Sequence, residues 1–331
     1  MSTSEPARAA LIPKTYVADL QEGASVVTYF LCADKQTPTT RDGKPYLRLS
    51  LKDATGEVPA ILFDAAEYID TFARGDVVKV EGLYAVDTRF GPQLKLRRIR
   101  PVADNEYDPA ALVPVSPFDV EELAARAQAL VDSVAQPNLR ALLQRALDPS
   151  REPGASFVIA PAAVANHHAY RHGLLEHSII VAEVAAEVAA HFASVDADLV
   201  LAGALLHDVG KTRTYSVDLM KPGFTDEGRL HGEIAIGHEQ LRDLIAEDPD
   251  FPPELASQLR HILLSHHGQK EKGSPVIPVT REAIIVHFCD DMTARVAAFD
   301  EAERGTAAGE RWSAYSRMLE TPVYVPPRDD S

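Results

Sequence analysis

The chain has 331 residues, of which 46% are hydrophobic and 25% charged, and it carries a net charge of −16 at pH 7. This length and composition are typical of a globular protein of two domains, and its two cysteines exclude a disulfide scaffold and a zinc ribbon. The first residues lack the apolar core of a signal peptide, and no apolar run reaches the roughly 18 residues that span a bilayer. We therefore expect a cytoplasmic protein without membrane contact.

The acidity is confined to the second part of the chain. Residues 14–103 hold 13 basic side chains against 12 acidic ones, whereas residues 104–331 hold 19 against 36. The overall charge therefore does not exclude nucleic-acid binding by the first part. A second part this acidic would need cations to bring in a phosphate-containing substrate.

A polar, flexible N-terminal arm over residues 1–13 is expected to precede a β-rich domain. Alternating or β-branched runs separated by turn signals predict five strands, over residues 26–32, 46–52, 57–63, 77–83 and 94–99. A short helix is predicted over residues 67–72, between the third and fourth strands. This layout is typical of a five-stranded OB-fold barrel, which we assign to residues 14–103.

The second predicted strand alternates between leucines and polar side chains, so Leu47, Leu49 and Leu51 are expected to face inward. OB-fold barrels bind single strands by stacking bases on exposed rings while cations follow the backbone. Alternatively, the rings pack inside the barrel and the cations only solvate its surface; for the face as a whole we favour binding. The candidate nucleic-acid-binding residues are Tyr46, Arg48, Lys52, Phe63, Phe90, Lys95 and Arg97.

The rest of the chain is predicted to be helical, after a proline-containing linker without periodicity. Asp119 and Glu122 form a capping box that begins the helical part. Near the C-terminus, the spacing of Trp312, Tyr315 and Tyr324 indicates a helix and then an extended tail, with rings that we expect to cover the core. The predicted segments are a linker (104–118), a helical extension (119–160), an all-α domain (161–300), and a C-terminal helix with an extended tail (301–331).

His207 and Asp208 end an apolar segment from Leu199 to Leu206, which predicts a helix buried on every side. Burying an imidazole beside a carboxylate costs free energy unless something neutralises the pair. Gly210 lets the chain turn away after the helix, so the side chains of His207 and Asp208 can bind the same group at the helix end. A divalent cation fits, because zinc, manganese and iron bind such ligands. The alternative is a core histidine bonded to its own neighbour.

The distribution of the other histidines favours a cation. All twelve histidines lie between His167 and His287. His177 lies within an apolar, alanine-rich segment, and Asp290 follows another apolar run. Each places a polar group on an otherwise buried helix face, and such a set is difficult to assign to packing alone. These features suit a metal site.

The order His177, His207 with Asp208, and Asp290 resembles the signature of the HD metal-dependent phosphohydrolase superfamily. Further motifs are NHHAY at 166–170, GLLEH at 173–177, AGALLHDVGK at 202–211, TDEGRL at 225–230, and SHHG with GSP at 265–275. Together they resemble the YhaM-type bacterial 3′-to-5′ exoribonucleases, which join an N-terminal OB-fold to an HD domain. The resemblance covers roughly Val26 to Tyr324 and places the HD domain at residues 161–300.

The resemblance implies one divalent metal bound by His177, His207, Asp208 and Asp290. Lys211 then holds a phosphate oxygen beside the catalytic His207 and Asp208, the alternative being a solvated lysine at a helix end. Manganese is favoured as the metal, with magnesium, cobalt, iron, nickel or zinc as alternatives. The residues that could line the phosphate path are His167, His168, Arg171 and His172.

Two positions depart from the family pattern and bear on a second metal. Glu233 stands where the pattern has histidine, with His231 two residues earlier as another candidate ligand. His266 and His267 would complete this second site or contact phosphate. Thr293 stands where the pattern has aspartate. These departures leave tight binding of two metals in doubt.

The function expected from the resemblance is a metal-dependent 3′-to-5′ exoribonuclease that releases 5′-mononucleotides from single-stranded RNA by metal-activated attack of water. Single-stranded DNA as a substrate and homo-oligomerisation are left open. One alternative is a phosphohydrolase of small nucleotides with a regulatory OB-fold, and another is a single-strand-binding protein with a weakened HD site. Four further histidines are expected to be merely hydrogen-bonded or at the surface: His191, His238, His261 and His287.

Overall fold

The computed structural model describes residues 11–87, 91–163, 168–218, 220, 223–307 and 309–327. The chain divides into two compact units, with the boundary between Val115 and Ser116. Two of the candidate residues, Phe90 and His167, lie outside the described residues. No described helix has the length and apolar character needed to cross a membrane.

The first unit is a closed barrel of five strands, which confirms the predicted OB-fold. Its strands are β1 (Ser25–Gln36), β2 (Leu47–Asp53), β3 (Gly56–Leu62), β4 (Val77–Asp87) and β5 (Gly91–Pro101). Their order around the barrel is β1-β2-β3-β5-β4. The β3–β5 pair is parallel and closes the barrel, while the other pairs are antiparallel.

The alternation in β2 matches the two sides of the barrel wall. Leu47, Leu49 and Leu51 are buried in the barrel core, whereas Arg48 between them is exposed. Because side chains in a strand point alternately to opposite faces, this register fixes which residues the barrel offers to solvent.

The helix predicted between the third and fourth strands is wrong. The chain there forms consecutive turns, in which Tyr68 N donates to Ala65 O and Thr71 N donates to Tyr68 O. The Lys35 ammonium donates to the carbonyls of Ile69 and Phe72. The two backbone bonds join residues three apart, which closes turns, whereas an α-helix joins residues four apart.

The predicted arm and linker are structured in the parts that the structure describes next to the barrel. Ile12 is buried and its N–H donates to Glu106 O, 2.8 Å away. Ala54 N donates to Ala111 O, and Ala111 and Leu112 are buried. The first part of the predicted linker, 104–118, therefore packs on the first unit, and its extent as a linker stays a prediction.

A buried ion pair fastens the start of this unit to β2. Lys14 Nζ lies 2.8 Å from Asp53 Oδ2, and the Asp53 side chain is fully buried. Asp53 also accepts hydrogen bonds from Val17 N and from both the N–H and the hydroxyl of Thr55. Burial lowers the pKa of Lys14, while the bond to Asp53 opposes that shift.

The second unit is helical. Its α-helices are α1 (Val120–Ser133), α2 (Pro137–Ala146), α3 (Gly154–Ile159), α4 (Gly173–Ala189), α5 (Ala197–Leu206), α6 (Lys211–Thr214), α7 (Asp226–His231), α8 (Glu233–Ala246), α9 (Pro253–Ser265) and α10 (Arg281–Arg304). All residues of α5 from Leu199 to Leu206 are buried, so this helix is the centre of the core. Helices α1 and α2 add Leu123 and Leu139 to the same core.

The helix predicted through Trp312 and Tyr315 is wrong. Helix α10 ends at Arg304, and Trp312 instead pairs with Tyr324 in an isolated β-bridge. Trp312, Tyr315 and Tyr324 are 60%, 63% and 41% exposed, so their rings do not cover the core. The rings of Trp312 and Tyr324 instead pack on each other in a T-shaped contact, which brings together two residues that are distant along the chain.

We predict that Asp53→Ala lowers the free energy of local unfolding of the barrel by about 3–5 kcal/mol, because it leaves a buried ammonium without its partner. Hydrogen exchange of the β1 and β2 amides, followed by mass spectrometry, would report this opening. Asp64→Ala is the control: its ion pair with Lys44 is exposed, so we expect less than about 1 kcal/mol. Equal exchange in the two variants would contradict the role of the buried pair.

Candidate metal centre

Three helices bring the predicted ligands together. Helix α5 packs between α4 and α10. His177 lies on α4, His207 and Asp208 directly follow α5, and Asp290 lies on α10. The apolar segment that buries α5 therefore also carries its polar end into the centre of the unit.

The donor atoms of these four residues meet in one place. His177 Nε2 lies 3.2 Å from His207 Nε2 and 3.1 Å from Asp290 Oδ1. Asp208 Oδ2 lies 3.2 Å from His207 Nε2 and 3.4 Å from His177 Nε2. The side chains of His177, His207 and Asp208 are no more than 2% exposed. The arrangement is a compact, buried set of nitrogen and oxygen donors.

A second donor set lies on the other side of Asp208. It consists of Asp208, Glu233, His266 and His267, with His267 Nε2 3.1 Å from Glu233 Oε1. His266 Nε2 lies 3.6 Å from Asp208 Oδ1. Asp208 thus presents one oxygen to each set. His231, the other candidate at this position, is exposed and belongs to neither set.

Backbone carbonyls fix the orientation of three of these rings. Nδ1 of His207 donates to Ala204 O at 2.7 Å, and Nδ1 of His266 donates to Leu263 O at 2.8 Å. Nδ1 of His267 donates to Lys272 O at 3.0 Å. A neutral ring with its proton on Nδ1 directs the lone pair of Nε2 into the site, which is the arrangement that a metal ligand needs.

The residues fit a divalent cation. Asp208 Oδ1 and His266 Nε2 are buried and have no hydrogen-bond partner among the described residues. Their separation of 3.6 Å is too long for a hydrogen bond. Buried polar atoms without partners are costly, and a cation bound by both atoms would remove that cost. Imidazole and carboxylate donors together are the ligands of manganese, iron and zinc.

The charges of the first set also call for a cation. Although burial opposes it, attraction by Asp208 and Asp290 raises the pKa of His207 to about 10. Burial likewise opposes ionisation of Asp290, but His207 and His177 hold the pKa of its carboxyl well below the usual range. Both effects have one cause: two ionised carboxylates in a buried space attract positive charge.

Gly210 joins the turn after Asp208 to the start of α8. A Cβ at this position would overlap Glu233 O and lie 2.6 Å from Gly237 N. Its φ of −61° is ordinary helical geometry, so the glycine is needed for close approach and not for a turn that other residues cannot make. The sequence interpretation of Gly210 was therefore incomplete. This close approach brings Glu233 next to Asp208 and Lys211.

Two family models match the chain. One describes the HD domain and matches residues 174–295, and the other describes an OB-fold nucleic-acid-binding domain of the tRNA anti-codon type and matches residues 33–102. The 3′-5′ exoribonuclease YhaM of Bacillus subtilis is 34% identical over 290 residues, and that of Bacillus velezensis is 33% identical. In both cases the alignment covers 87% of this chain and 90% of the relative. The chain belongs to the YhaM family.

Solved structures similar to this YhaM-family chain match single parts of it. A domain of replication protein A from Methanococcus maripaludis covers 28% of this chain and 97% of its own length, with 16% identity and a TM-score of 0.24. The HD domain of the phosphodiesterase PgpH from L. monocytogenes covers 37% of this chain and 66% of its own length, with 26% identity and a TM-score of 0.26.

Lys211 lies inside the site of this YhaM-family chain. Its Nζ is 2.7 Å from Asp208 Oδ2. Burial would lower the pKa of Lys211, but Asp208 and Glu233 raise it. Lysine 211 also lines a cavity of about 320 Å³ with His177, His266 and Asp290. It is therefore a fixed positive charge at the place where both donor sets open.

The predicted phosphate-path residues are not brought together. His168 is buried with Nε2 3.4 Å from Glu176 Oε1, and its ring centroid lies 5.5 Å from that of His177. His172 is buried and its Nδ1 donates to Val158 O, while Arg171 is exposed. None of these three described residues lines the cavity that contains His177 and Asp290, and their role in a phosphate path stays a prediction. His172 has a left-handed backbone, with a φ of 68°, directly before α4.

Glu176 and His287 were not identified from the sequence, although each lies next to a proposed ligand on the chain or contacts one. Glu176, in the GLLEH motif, is buried and accepts a hydrogen bond from Tyr170 Oη at 2.9 Å. His287 donates from Nδ1 to His266 O, and its ring occupies the space that a side chain at Gly268 would fill. The sequence signal that could have indicated this contact is Gly268, which directly follows His266 and His267 and leaves room for the ring of His287. His238 and His261, as expected, only accept hydrogen bonds from Arg260 and Val279 N.

Thr293 lies outside both donor sets. Its hydroxyl donates to Asp290 O one turn earlier on α10. Asp291, beside Asp290, instead pairs with Lys272 at 3.3 Å and with Arg295 at 2.7 Å. Threonine at 293 therefore leaves the described ligands unchanged, and the second acidic residue of this segment is used for ion pairs.

The described residues of the predicted nucleic-acid-binding set are exposed or half-buried. The ring centroids of Tyr46 and Phe63 are 5.5 Å apart, and Phe63 is 57% exposed. The strand register places Arg48 and Lys95 on either side of Ile61, in one row across β2, β3 and β5. Arg97 is exposed and Lys52 half-buried. The ring of Phe63 thus does not pack inside the barrel, while Phe90 lies outside the described residues and the binding role of the set stays a prediction.

We predict that Gly210→Ala lowers the free energy of unfolding by about 1–3 kcal/mol and weakens metal binding, because the added methyl group meets backbone atoms that cannot rotate away. Thermal unfolding and calorimetric titration with Mn²⁺ would measure both effects. Gly223→Ala is the control, since a Cβ there meets nothing within 4 Å. Unchanged stability of Gly210→Ala would contradict the close approach.

Proposed function

We propose that this chain is a metal-dependent 3′-to-5′ exoribonuclease that releases 5′-mononucleotides from single-stranded RNA. The observation that carries the proposal is the convergence of two donor sets on the two oxygens of Asp208. Relatives that align over 87% of this chain and 90% of their own length are named 3′-5′ exoribonucleases. Two buried, free cysteines, Cys32 and Cys289, suit action in a reducing cytoplasm.

The first metal site would consist of His177, His207, Asp208 and Asp290. The second would consist of Asp208 with Glu233, His266 and His267, a set that takes in three of the four second-site candidates and omits His231. When bound, the metals supply Lewis-acid chemistry, which lowers the pKa of water and neutralises charge on the phosphate.

The chain's own groups prepare this site. Asp208 and Asp290 stay ionised because the cationic and imidazole groups around them hold the pKa of each carboxyl low despite burial. Carbonyls of the backbone hold the rings of His207 and His266 in one tautomer. Lys211 remains protonated and directs a positive charge into the cavity, where it binds a non-bridging phosphate oxygen. The site is thus preorganised for a phosphodiester.

Manganese is our choice of metal. Glu233 replaces a nitrogen donor with an oxygen donor, so the second set contains two carboxylates and two imidazoles. Carboxylate ligands suit manganese and magnesium, whereas imidazole suits zinc, copper, iron and nickel. The additional carboxylate therefore shifts the preference of the second set towards manganese.

The OB-fold would hold the single strand. The exposed ring of Phe63, beside Tyr46, offers a stacking surface, and Arg48 and Lys95 in the same row can follow the phosphates. Stacking does not distinguish ribose from deoxyribose, so single-stranded DNA would bind as well. The preference for RNA therefore has to come from the catalytic unit.

We expect metal-stripped protein to regain exonuclease activity when Mn²⁺ is added, and Asp208→Ala to remain inactive. The substrate is a single-stranded RNA labelled at its 5′ end, with products resolved at single-nucleotide spacing. Shortening from the 3′ end, with 5′-mononucleotides as the released product, would support the proposal. Asp226→Ala is a control, because this exposed aspartate in the first turn of α7 lies outside both donor sets.

Intact RNA in the presence of Mn²⁺ would falsify the exoribonuclease proposal. Hydrolysis of small nucleotides by the same preparation would then favour the alternative phosphohydrolase. Binding of RNA without any hydrolysis would favour a single-strand-binding protein.

We predict that Phe63→Ala raises KM for single-stranded RNA about tenfold with little change in kcat, because stacking is worth roughly 1–3 kcal/mol per base. Phe192→Ala, which removes an exposed ring of the helical unit, is the matched control. Steady-state kinetics on one RNA would separate the two constants. An unchanged KM in Phe63→Ala would place the strand elsewhere.

A further inference from the structure

A second cavity adjoins the metal-ligand cavity on the side of Glu233. It has a volume of about 620 Å³. Ligand sites for small molecules have volumes of roughly 300–1,000 Å³, so a single nucleotide fits. Glu233 and His267 of the second donor set form part of its wall. His267 and Lys272 line both this cavity and the one that contains His177 and Asp290, so the two cavities meet there.

One wall of this cavity is aromatic. The rings of Tyr215 and Phe224 are T-shaped, with centroids 5.2 Å apart. An isolated antiparallel β-bridge joins the two residues, and Ser216 N donates to Gly223 O beside it. Phe224 is 46% exposed. Its position is therefore held by the backbone while part of its ring is open to a ligand.

The aromatic wall and the donor atoms border the same space. Tyr215, Phe224, Glu233 and His267 all line this cavity. A group stacked on Phe224 would therefore share the cavity with two proposed metal ligands, Glu233 and His267.

The remaining wall combines apolar and polar side chains. Ile234, Leu264 and Pro275 supply apolar surface, and Thr214, His231, His238 and Lys272 supply polar groups. His238 accepts from Arg260 Nε through its Nε2 at 2.9 Å, so its neutral ring carries the proton on Nδ1. A cavity that combines an aromatic face and apolar surface with a lysine and imidazoles suits a ligand that joins a heteroaromatic ring to a phosphate.

We propose that this cavity binds the base of the 3′-terminal nucleotide, which stacks on Phe224 while its 5′-phosphate lies at Glu233 and His267. The proposal rests on the exoribonuclease activity proposed above and adds the site that holds the leaving nucleotide. A base recognised by stacking is accepted whatever its identity, because every base has a π-face. Such a site suits an enzyme that removes successive nucleotides from one end.

The test uses the full-length wild-type protein loaded with Mn²⁺ and compares two probes, 5′-AMP and ribose 5-phosphate, which differ only in the base. Isothermal titration should give a Kd for 5′-AMP at least tenfold lower than that for ribose 5-phosphate. Phe224→Ala should raise the Kd for 5′-AMP about tenfold and leave that for ribose 5-phosphate unchanged. Phe224→Trp should restore tight binding of 5′-AMP.

The control is Phe192→Ala, which removes a 54% exposed ring of the helical unit that does not line this cavity. It should leave both constants unchanged. Unchanged binding of ribose 5-phosphate to Phe224→Ala would show that the variant keeps its fold and phosphate site. Equal binding of the two probes by the wild type, or a Phe224→Ala variant with wild-type affinity for 5′-AMP, would overturn the proposal.

RNA hydrolysis by the same wild-type preparation separates this inference from the function on which it rests. If RNA stays intact while 5′-AMP binding depends on Phe224, the exoribonuclease proposal fails and the nucleoside site stands. If RNA is shortened while the two probes bind equally, the activity stands and the cavity assignment fails.

Discussion

A carboxylate that is only 2% exposed has to be surrounded by positive charge or by hydrogen-bond donors, and Asp208 lies in that situation at the end of a helix buried on every side. Lys211 provides one positive charge at 2.7 Å. The other neighbours of Asp208 are imidazole nitrogens whose orientation the backbone fixes. The packing of α5 therefore fixes the position of the site, and the negative charge of Asp208 makes it a site for cations.

Glu233 shows how the second donor set adapts to this constraint. It lies against the turn at Gly210, where a side chain would overlap its carbonyl. Although burial opposes it, Lys211 and then His267 lower the pKa of Glu233, so a carboxylate here is stabilised by cations that are already present. A histidine in this place would instead meet the ammonium of Lys211 as a like charge when protonated. The substitution is thus consistent with its surroundings.

The sequence predicted correctly those features that depend on the pattern of neighbouring residues. Alternating leucines in β2 gave the correct inward face, and buried polar residues in apolar helices identified His177, His207, Asp208 and Asp290, which the structure brings together. The errors concern contacts between distant residues. The carbonyls of the turns after β3 accept from the distant Lys35, and the pairing of Trp312 with Tyr324 replaces a predicted helix. No local pattern indicates either contact.

The charge distribution agrees with a division of tasks between the two units. The barrel residues are nearly neutral overall, so their hold on a strand depends on stacking and on the row that contains Arg48 and Lys95. The helical unit is strongly acidic, and a polyanion approaches it only where cations are concentrated. Lys211 and Lys272 are such cations, and both line the cavity that contains the donor atoms. In the function proposed above, the acidic unit therefore directs phosphate to the cavity where these lysines, together with a metal, would reverse its charge.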